Sequence, residues 1–429
     1  MMEAYRDYFD RKQAELAVIA SGHGRPNWPR PRTIEAIIEA KFRLGAELKA
    51  RHALQAWGMT ETNWQEGQSL RSGPFRFSYR YQRADLAVVG PLPHAPDAFD
   101  GTTVEGPIYT CSGMAAISAL VLALGAGERS SLVFPPGSYK ETLEFAASYT
   151  GVQVVSPPSP RSSSSPLPRP GQVGKPILWL DCPPSGARAQ EVDSWVRHAD
   201  LLVFDTTTFA AGSGRIQRFL RWARRARVPA VLVRSHTKLD TLGIEYGRLG
   251  SATFVSFPEV SLRKLARWRH LAGKMREAVR LLGNAALPAN FCPFIGTPAY
   301  RDLSSRRTAA MLRNGRLMTG CLTAALGECS VRRYPHGLFV GLVPPRGWTE
   351  AEATAVAAHM AAFLVRSGFP VRHAGSFGFD FVAIDNYFDS VTDQSVLRLA
   401  FADLPLPLFA HLAEAIATWW AGRQRIRAA

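Results

Sequence analysis

The chain has 429 residues, 46% of them hydrophobic and 20% charged, and its 51 basic against 35 acidic side chains give a formal charge of +16. That length exceeds one ordinary core and predicts two or three packed units of a folded soluble protein. No apolar run reaches the ~18 residues of a membrane helix, so no membrane association is expected.

The five cysteines (Cys111, Cys182, Cys292, Cys321 and Cys329) are odd in number and lack metal-type spacing. The opening "MMEAYRDYFDRKQAEL" is charged where a signal peptide would be apolar, and together these features predict a reducing cytoplasm. The positive charge would draw polyanions non-specifically. It concentrates, however, on amphipathic stretches such as "RIQRFLRWARRAR" (215–227), where Ile216, Phe219 and Trp222 can face a core. With no Cys/His finger or RNA-binding aromatic signature beside it, a nucleic-acid partner is not expected.

In chain order, residues 1–60 read as a helical arm interrupted by "GRPNWPRPR" (24–32), followed by the alternating stretch "FRFSYRYQR". From about 104 helices and strands alternate. Helix "GMAAISALVLAL" (113–124), strand "SLVF" (131–134), helix "KETLEFAASYTG" (140–151) and strand "VQVV" (152–155) precede a Ser/Pro-rich stretch (156–171), expected as a surface loop. Strands "PILWLD" (176–181), "LLVFD" (201–205) and "AVLVRS" (230–235) then follow, separated by helices. Short β-rich runs between helices predict an α/β fold, with a mainly parallel, doubly wound sheet. The last third reads as a smaller α+β domain with helices at 308–326 and 350–368 and strands at 338–343 and 396–402. The expected organisation is an arm (1–60), a large domain (61–285) and a small C-terminal domain (286–429).

In a doubly wound sheet, ligands bind beyond the carboxyl ends of the strands. Three loops are singled out on that ground. Ser112 and Gly113 open a helix, whose bare N–H groups and positive dipole end suit a phosphate, although capping is the commoner use of such a serine. Asp205 ends a strand, and could equally cap the segment that follows. Ser235, Thr237 and Lys238 follow the next strand, in "SHTK".

Asp205 stands 33 residues before Lys238, and both lie downstream of "CSGMAAI". This constellation resembles the fold type I pyridoxal-phosphate enzymes, and within them the Cys/Met-metabolism family of cystathionine lyases and synthases and methionine γ-lyase. The likeness spans roughly residues 80–405 and is diverged. It implies pyridoxal 5'-phosphate as cofactor, Lys238 as the lysine that bonds its aldehyde, and Ser112, Gly113, Met114, Ser235 and Thr237 around its phosphate. Asp205, with Thr207 beside it, would face the pyridine nitrogen. Tyr81 and Arg83 resemble a Tyr-x-Arg pair that reaches the phosphate of a neighbouring subunit, which implies a homodimer or homotetramer with sites at the subunit interface. The same residues also fit an edge strand of alternating aromatics.

Two segments depart from the family. "PPGSY" (135–139) replaces a segment whose tyrosine stacks on the ring, leaving Tyr139 as a candidate catalytic ring or a plain core or surface tyrosine. "DCPPSG" (181–186) puts Ser185 where an asparagine usually helps hold cofactor and substrate. Arg398 lies in the apolar strand "VLRLAFA" and matches the arginine that grips the substrate carboxylate, with a buried ion pair as its other use. Ser376, in "GSFGFDF", which resembles the family's loop beside that carboxylate, is a further candidate substrate contact, and the phenylalanines there imply an apolar surround. The resemblance implies a lyase of β- or γ-elimination or γ-replacement type, acting on an amino acid with a side-chain leaving group. An unusual γ-substituted amino acid in a specialised biosynthetic pathway would suit the altered loops. An aminotransferase and a non-catalytic binding protein on a degenerate cofactor fold are the alternatives.

Overall fold

A computed structural model of the chain describes residues 5–22, 24, 28–60, 69–78, 87–92, 101–126, 130–135, 138–155, 176–181, 195–246, 248–389 and 394–428, with the side chains of 56–60 and 424–428 left aside. Tyr81, Arg83, Ser185 and the 156–171 stretch lie outside these residues.

The helices are α1 (Tyr5–Ser21), α2 (Ile34–Thr60), α3 (Gly113–Gly125), α4 (Lys140–Ser148), α5 (Gly214–Arg225), α6 (Leu262–Leu282), α7 (Pro298–Leu326), α8 (Glu350–Arg366) and α9 (Leu406–Ala428). The strands are β1 (Ser69–Ser72), β2 (Phe75–Ser78), β3 (Ala87–Val89), β4 (Thr103–Thr110), β5 (Ser130–Val133), β6 (Val152–Val155), β7 (Pro176–Leu180), β8 (Leu201–Asp205), β9 (Ala230–Ser235), β10 (Gly250–Ser256), β11 (Val331–Arg333), β12 (Phe339–Leu342), β13 (Val371–His373), β14 (Val382–Asp389) and β15 (Gln394–Ala400). They fall into two units, one of residues 49–237 and 246–296, the other of 1–48, 238–245 and 297–429. The first 48 residues therefore group with the C-terminal third, and Lys238 opens a short segment that belongs with them.

The larger unit holds a seven-stranded sheet in the order β4-β10-β9-β8-β7-β5-β6. Six strands share one direction, and β10 runs against its neighbours β4 and β9. The expected α/β class with a mainly parallel sheet is thus the observed one. Strand residues alternate between two cores. Leu201 and Val203 of β8 pack with α3 and α6, while Leu202 and Phe204 pack with Phe219 and Leu220 of α5. Burial of both faces explains why these strands read as unbroken apolar runs. Each such side chain removed from water stabilises by roughly 1.5–3 kcal/mol.

Helix α5 keeps Ile216, Phe219, Leu220 and Ala223 buried and leaves Arg218, Arg221 and Arg225 exposed, as its period requires. The segments β1, β2 and β3 form a separate antiparallel sheet, whose Phe75 and Phe77 are buried around the exposed Arg76.

The smaller unit has a five-stranded sheet in the order β11-β12-β15-β14-β13, antiparallel except for the β13–β14 pair. Helices α7, α8 and α9 contribute Met318, Met360 and Phe409 to its core. Helix α7 begins ten residues before the expected start at 308. Thr297 caps it by accepting from the Tyr300 N–H, and Pro298 takes the first-turn position where no N–H is needed. The polar run "RDLSSRR" conceals that opening from a search for apolar period.

Candidate active site

The candidate residues of the larger unit gather at one edge of its sheet, at or just past the carboxyl ends of the codirectional strands. Ser112 and Gly113 follow β4, Asp181 follows β7, Asp205 and Thr207 lie at the end of β8, and Ser235 to Thr237 close β9.

Ser112 accepts a hydrogen bond from the Ala115 N–H at 3.0 Å and so caps α3, whose remaining first-turn N–H groups face outward along the helix axis. A Cβ on Gly113 would stand 2.6 Å from the Ser235 Cβ, so the absence of a side chain is what lets helix and loop approach. Met114 instead packs against the large core. A hydrogen-bonded chain ties the other loops together. The Thr207 N–H donates to Asp205 Oδ1 at 2.8 Å, the Ser235 N–H donates to Thr207 Oγ1 at 2.9 Å, and the Ser235 hydroxyl donates to Thr237 Oγ1 at 3.4 Å. The result is a set of hydroxyl and amide groups beside a helix N-terminus, an arrangement that suits a phosphate.

Arg234, buried within β9, donates to the carbonyls of Thr206 and Phe209, both at 2.7 Å, and so fixes the loop that carries Asp205. Its signal in the sequence was a charge interrupting "AVLVRS". Exposed Arg248 adds a cation two residues before Gly250, which is the cross-strand partner of Ser235.

Asp181 is the residue that sequence reasoning passed over. Leu180 pairs with Phe204 across β7 and β8, so the carboxylates of Asp181 and Asp205 come next in register on neighbouring strands. Burial, then the charge of Asp205, push Asp181 up to about 7, against the opposing hydrogen bond from the Tyr139 N–H. Burial likewise raises Asp205, opposed by Thr207 and by Arg234. Asp181 Oδ1 is buried with no hydrogen-bond partner among the described residues. Tyr139 precedes α4 and is 39% exposed; its backbone, and not its ring, makes the contact with Asp181.

Within the smaller unit, half-buried Lys238 donates from Nζ to Ser376 Oγ at 2.5 Å and lies 5.9 Å from the Phe377 ring centre. A Cβ on Gly378, whose φ is +93°, would come within 2.7 Å of the Lys238 carbonyl oxygen, so the 376–378 turn is built against the lysine backbone. Arg398, at the centre of β15, pairs across the strands with Gly341 and Asp385. Its guanidinium lies 5.6 Å from the ring centres of both Phe339 and Tyr387, and 3.9 Å from Asp385 Oδ2.

The segment after Lys238 is held by a buried charge network unsuspected from sequence. Arg11, Lys12, Lys41 and Arg307 meet Glu15, Asp380 and Asp403, all seven buried. Arg307 reaches Asp380 at 2.7 Å, Lys12 reaches Asp403 at 2.6 Å, and Lys41 pairs with Asp380 at 2.9 Å and donates to the Leu242 carbonyl at 2.6 Å. Burial disfavours the charge on Asp380, but Arg307, Lys12 and Lys41 overcome it and hold that carboxyl well below the usual range. Burial lowers Lys41 to about 8 despite Asp380 and Glu15. The three carboxylates are close enough to suggest a metal cluster, yet their oxygens are already taken by ammonium and guanidinium groups. Partners as far apart in the chain as Lys12 and Asp403 give no local signal.

No known family profile and no curated protein matches the chain. Among solved structures it is similar to the cystathionine gamma synthase from Xanthomonas oryzae pv. oryzae in complex with cystathionine (16% identity, TM-score 0.49, covering 86% of this chain and 98% of that chain). It is also similar to a methionine gamma lyase from Micromonospora echinospora (15%, TM-score 0.43, covering 74% and 80%). A serine palmitoyltransferase from S. paucimobilis matches at 14% identity and a TM-score of 0.46, covering 74% of this chain and 73% of that one.

Proposed function

We propose that the protein is a pyridoxal 5'-phosphate-dependent enzyme acting on an amino acid, by β- or γ-elimination of a side-chain leaving group. One observation carries the reading. The donor cradle of Ser112, Gly113, Ser235 and Thr237 is joined through Thr207 to the carboxylate of Asp205, and the next residue after that cradle is a lysine.

The residues fit the group. The cradle matches the needs of a phosphate, and a carboxylate at the end of the next strand matches a pyridinium. When bound, the cofactor supplies an aldehyde that condenses with amines and a ring that accepts electrons from the substrate Cα. Lys238 Nζ would hold the aldehyde of the cofactor and serve as general base for the Cα proton, and Ser376 Oγ accepts a hydrogen bond from that nitrogen. Arg398, with five donors in a planar fork, holds the carboxylate of the substrate. Asp205 would face the ring nitrogen and favour its protonated form. The elimination class rests on the sequence resemblance to the Cys/Met-metabolism group, as does a homo-oligomer in which Tyr81 and Arg83 serve a neighbouring subunit.

Ammonia release from a panel of β- and γ-substituted amino acids, with cofactor-loaded protein and no keto-acid acceptor, tests the proposal against Lys238→Ala. Sustained ammonia from the parent alone supports elimination. Release limited to one equivalent per site moves the assignment to transamination or replacement, and a parent protein that takes up no cofactor overturns the whole reading.

A further inference from the structure

The surface that links Lys238 to Arg398 within the smaller unit is made of aromatic rings. Phe377 lies 5.9 Å from Lys238 Nζ and its ring centre is 6.3 Å from that of Phe339. Phe339 in turn stands 5.6 Å from the Arg398 guanidinium, as does Tyr387 on its other flank. Tyr334 and His336 close the cluster, with centres 4.7 and 4.1 Å from that of Phe339. Phe377, Tyr334 and Tyr387 are only half-buried, so the cluster keeps open ring surface.

Beyond Lys238, the charges around the rings are paired: Arg332, whose charge reaches Tyr334, meets Asp389 at 3.0 Å. Asp385, 3.9 Å from Arg398, also faces His373 Nε2 at 3.5 Å. A substrate bearing a second carboxylate would meet the Asp385 anion and lose its own hydration against ring faces, while the nearby Arg332 is already paired with Asp389. An aromatic or thioether side chain would instead gain edge or face contacts with Phe377 and Tyr387, which favour both rings and sulfur.

We propose that the protein selects amino acids with a bulky, uncharged apolar side chain, aromatic or thioether, that lies on the Phe377–Phe339–Tyr387 ring surface, and that it discriminates against dicarboxylic amino acids. The inference rests on the proposed function, because it takes Lys238 and Arg398 as the points that fix the amino and carboxylate groups. Phe377 acts here as a specificity-determining residue.

The test uses binding, which does not depend on turnover. Calorimetric titration of the cofactor-loaded protein with 3-phenylpropionate, 3-(methylthio)propionate, glutarate and acetate compares side chains on a common carboxylate. The two apolar acids are expected to bind at least about tenfold more tightly than glutarate and acetate. Phe377→Ala and the gentler Phe377→Leu should erase most of that preference while leaving acetate binding unchanged, and Arg398→Lys should weaken all four acids. The relative strength of the phenyl and thioether acids tells which side chain fits better. Equal or tighter binding of glutarate, binding of none of the acids, or an unaltered preference in both Phe377 variants overturns the inference. Uptake of cofactor, read from its absorbance before titration, separates this outcome from failure of the functional reading.

Discussion

Asp181 and Asp205 come next in register at the ends of adjacent parallel strands, two carboxylates at the candidate-site edge of the large sheet, and each raises the cost of ionising the other. The folded protein therefore holds a proton that the unfolded chain releases near an ordinary carboxyl value of 3.8, and Asp181 gives it up only at about 7. Between these values the folded state binds more protons, so this residue's contribution to stability falls as pH rises. Above about 7 the penalty is fully present. Asp181→Asn should accordingly stabilise the cofactor-free protein above about pH 7, by on the order of 4 kcal/mol, with the gain vanishing near pH 4. Thermal midpoints of parent and variant across that range check it; a gain independent of pH would rule out the carboxylate pair as its cause.

Gly113 lies where α3 meets the β9 loop, and a methyl group there would overlap Ser235. The neighbouring atoms are a Cβ and backbone, which cannot swing aside. Gly113→Ala should push the helix N-terminus away from Ser235 and Thr237, and lower affinity for pyridoxal phosphate by about tenfold or more. Affinity for pyridoxal, which lacks the phosphate, should change far less. Equilibrium dialysis with both compounds distinguishes a damaged cradle from a damaged fold.

Much of this was legible in the sequence, and for identifiable reasons. Strands β6, β8 and β9 have the bounds read from the sequence: β8 and β9, buried on both faces, leave an apolar signature, and the edge strand β6, with Gln153 exposed, is marked by its valines. The SHTK loop and Asp205 stood out because aspartate, serine and lysine at strand ends break that signature. Asp181 was not, since its meaning depends on which strand lies beside it, and sheet order is not written in local pattern. The buried network was invisible for a related reason. Lys12, Glu15 and Lys41 read as ordinary charged residues of an amphipathic helical arm, and only tertiary pairing with Asp380 and Asp403 takes them out of water.

That network carries four cations against three carboxylates, and the imbalance predicts an order of effects. Removing a carboxylate leaves four buried positive charges facing two negative ones, whereas removing Lys41 leaves three facing three. Asp380→Asn should therefore cost more stability than Lys41→Met, about 3–5 kcal/mol against roughly half of that. Thermal unfolding of the two variants side by side gives the comparison, and the reverse order would show that Lys41 matters chiefly through its bond to the Leu242 carbonyl.

Gly378 offers a test of how Lys238 is held. Its φ of +93° is unfavourable for any residue with a side chain, and a Cβ there would also press on the Lys238 carbonyl oxygen at 2.7 Å. Gly368 has a similar φ of +83° but open space where its Cβ would go, so Gly368→Ala reports backbone strain alone. Strain of that kind costs about 1–2 kcal/mol. Gly378→Ala should lose more, because overlap with a backbone oxygen adds to the strain and is relieved only by moving the lysine. The displacement gives a second readout. Trapping of pyridoxal phosphate by borohydride, with the modified peptide located by mass spectrometry, should show slower labelling of Lys238 in Gly378→Ala and parental labelling in Gly368→Ala. Equal labelling in both variants would mean that the 376–378 turn does not position the amine, and that its hold on Lys238 is exerted through Ser376 alone.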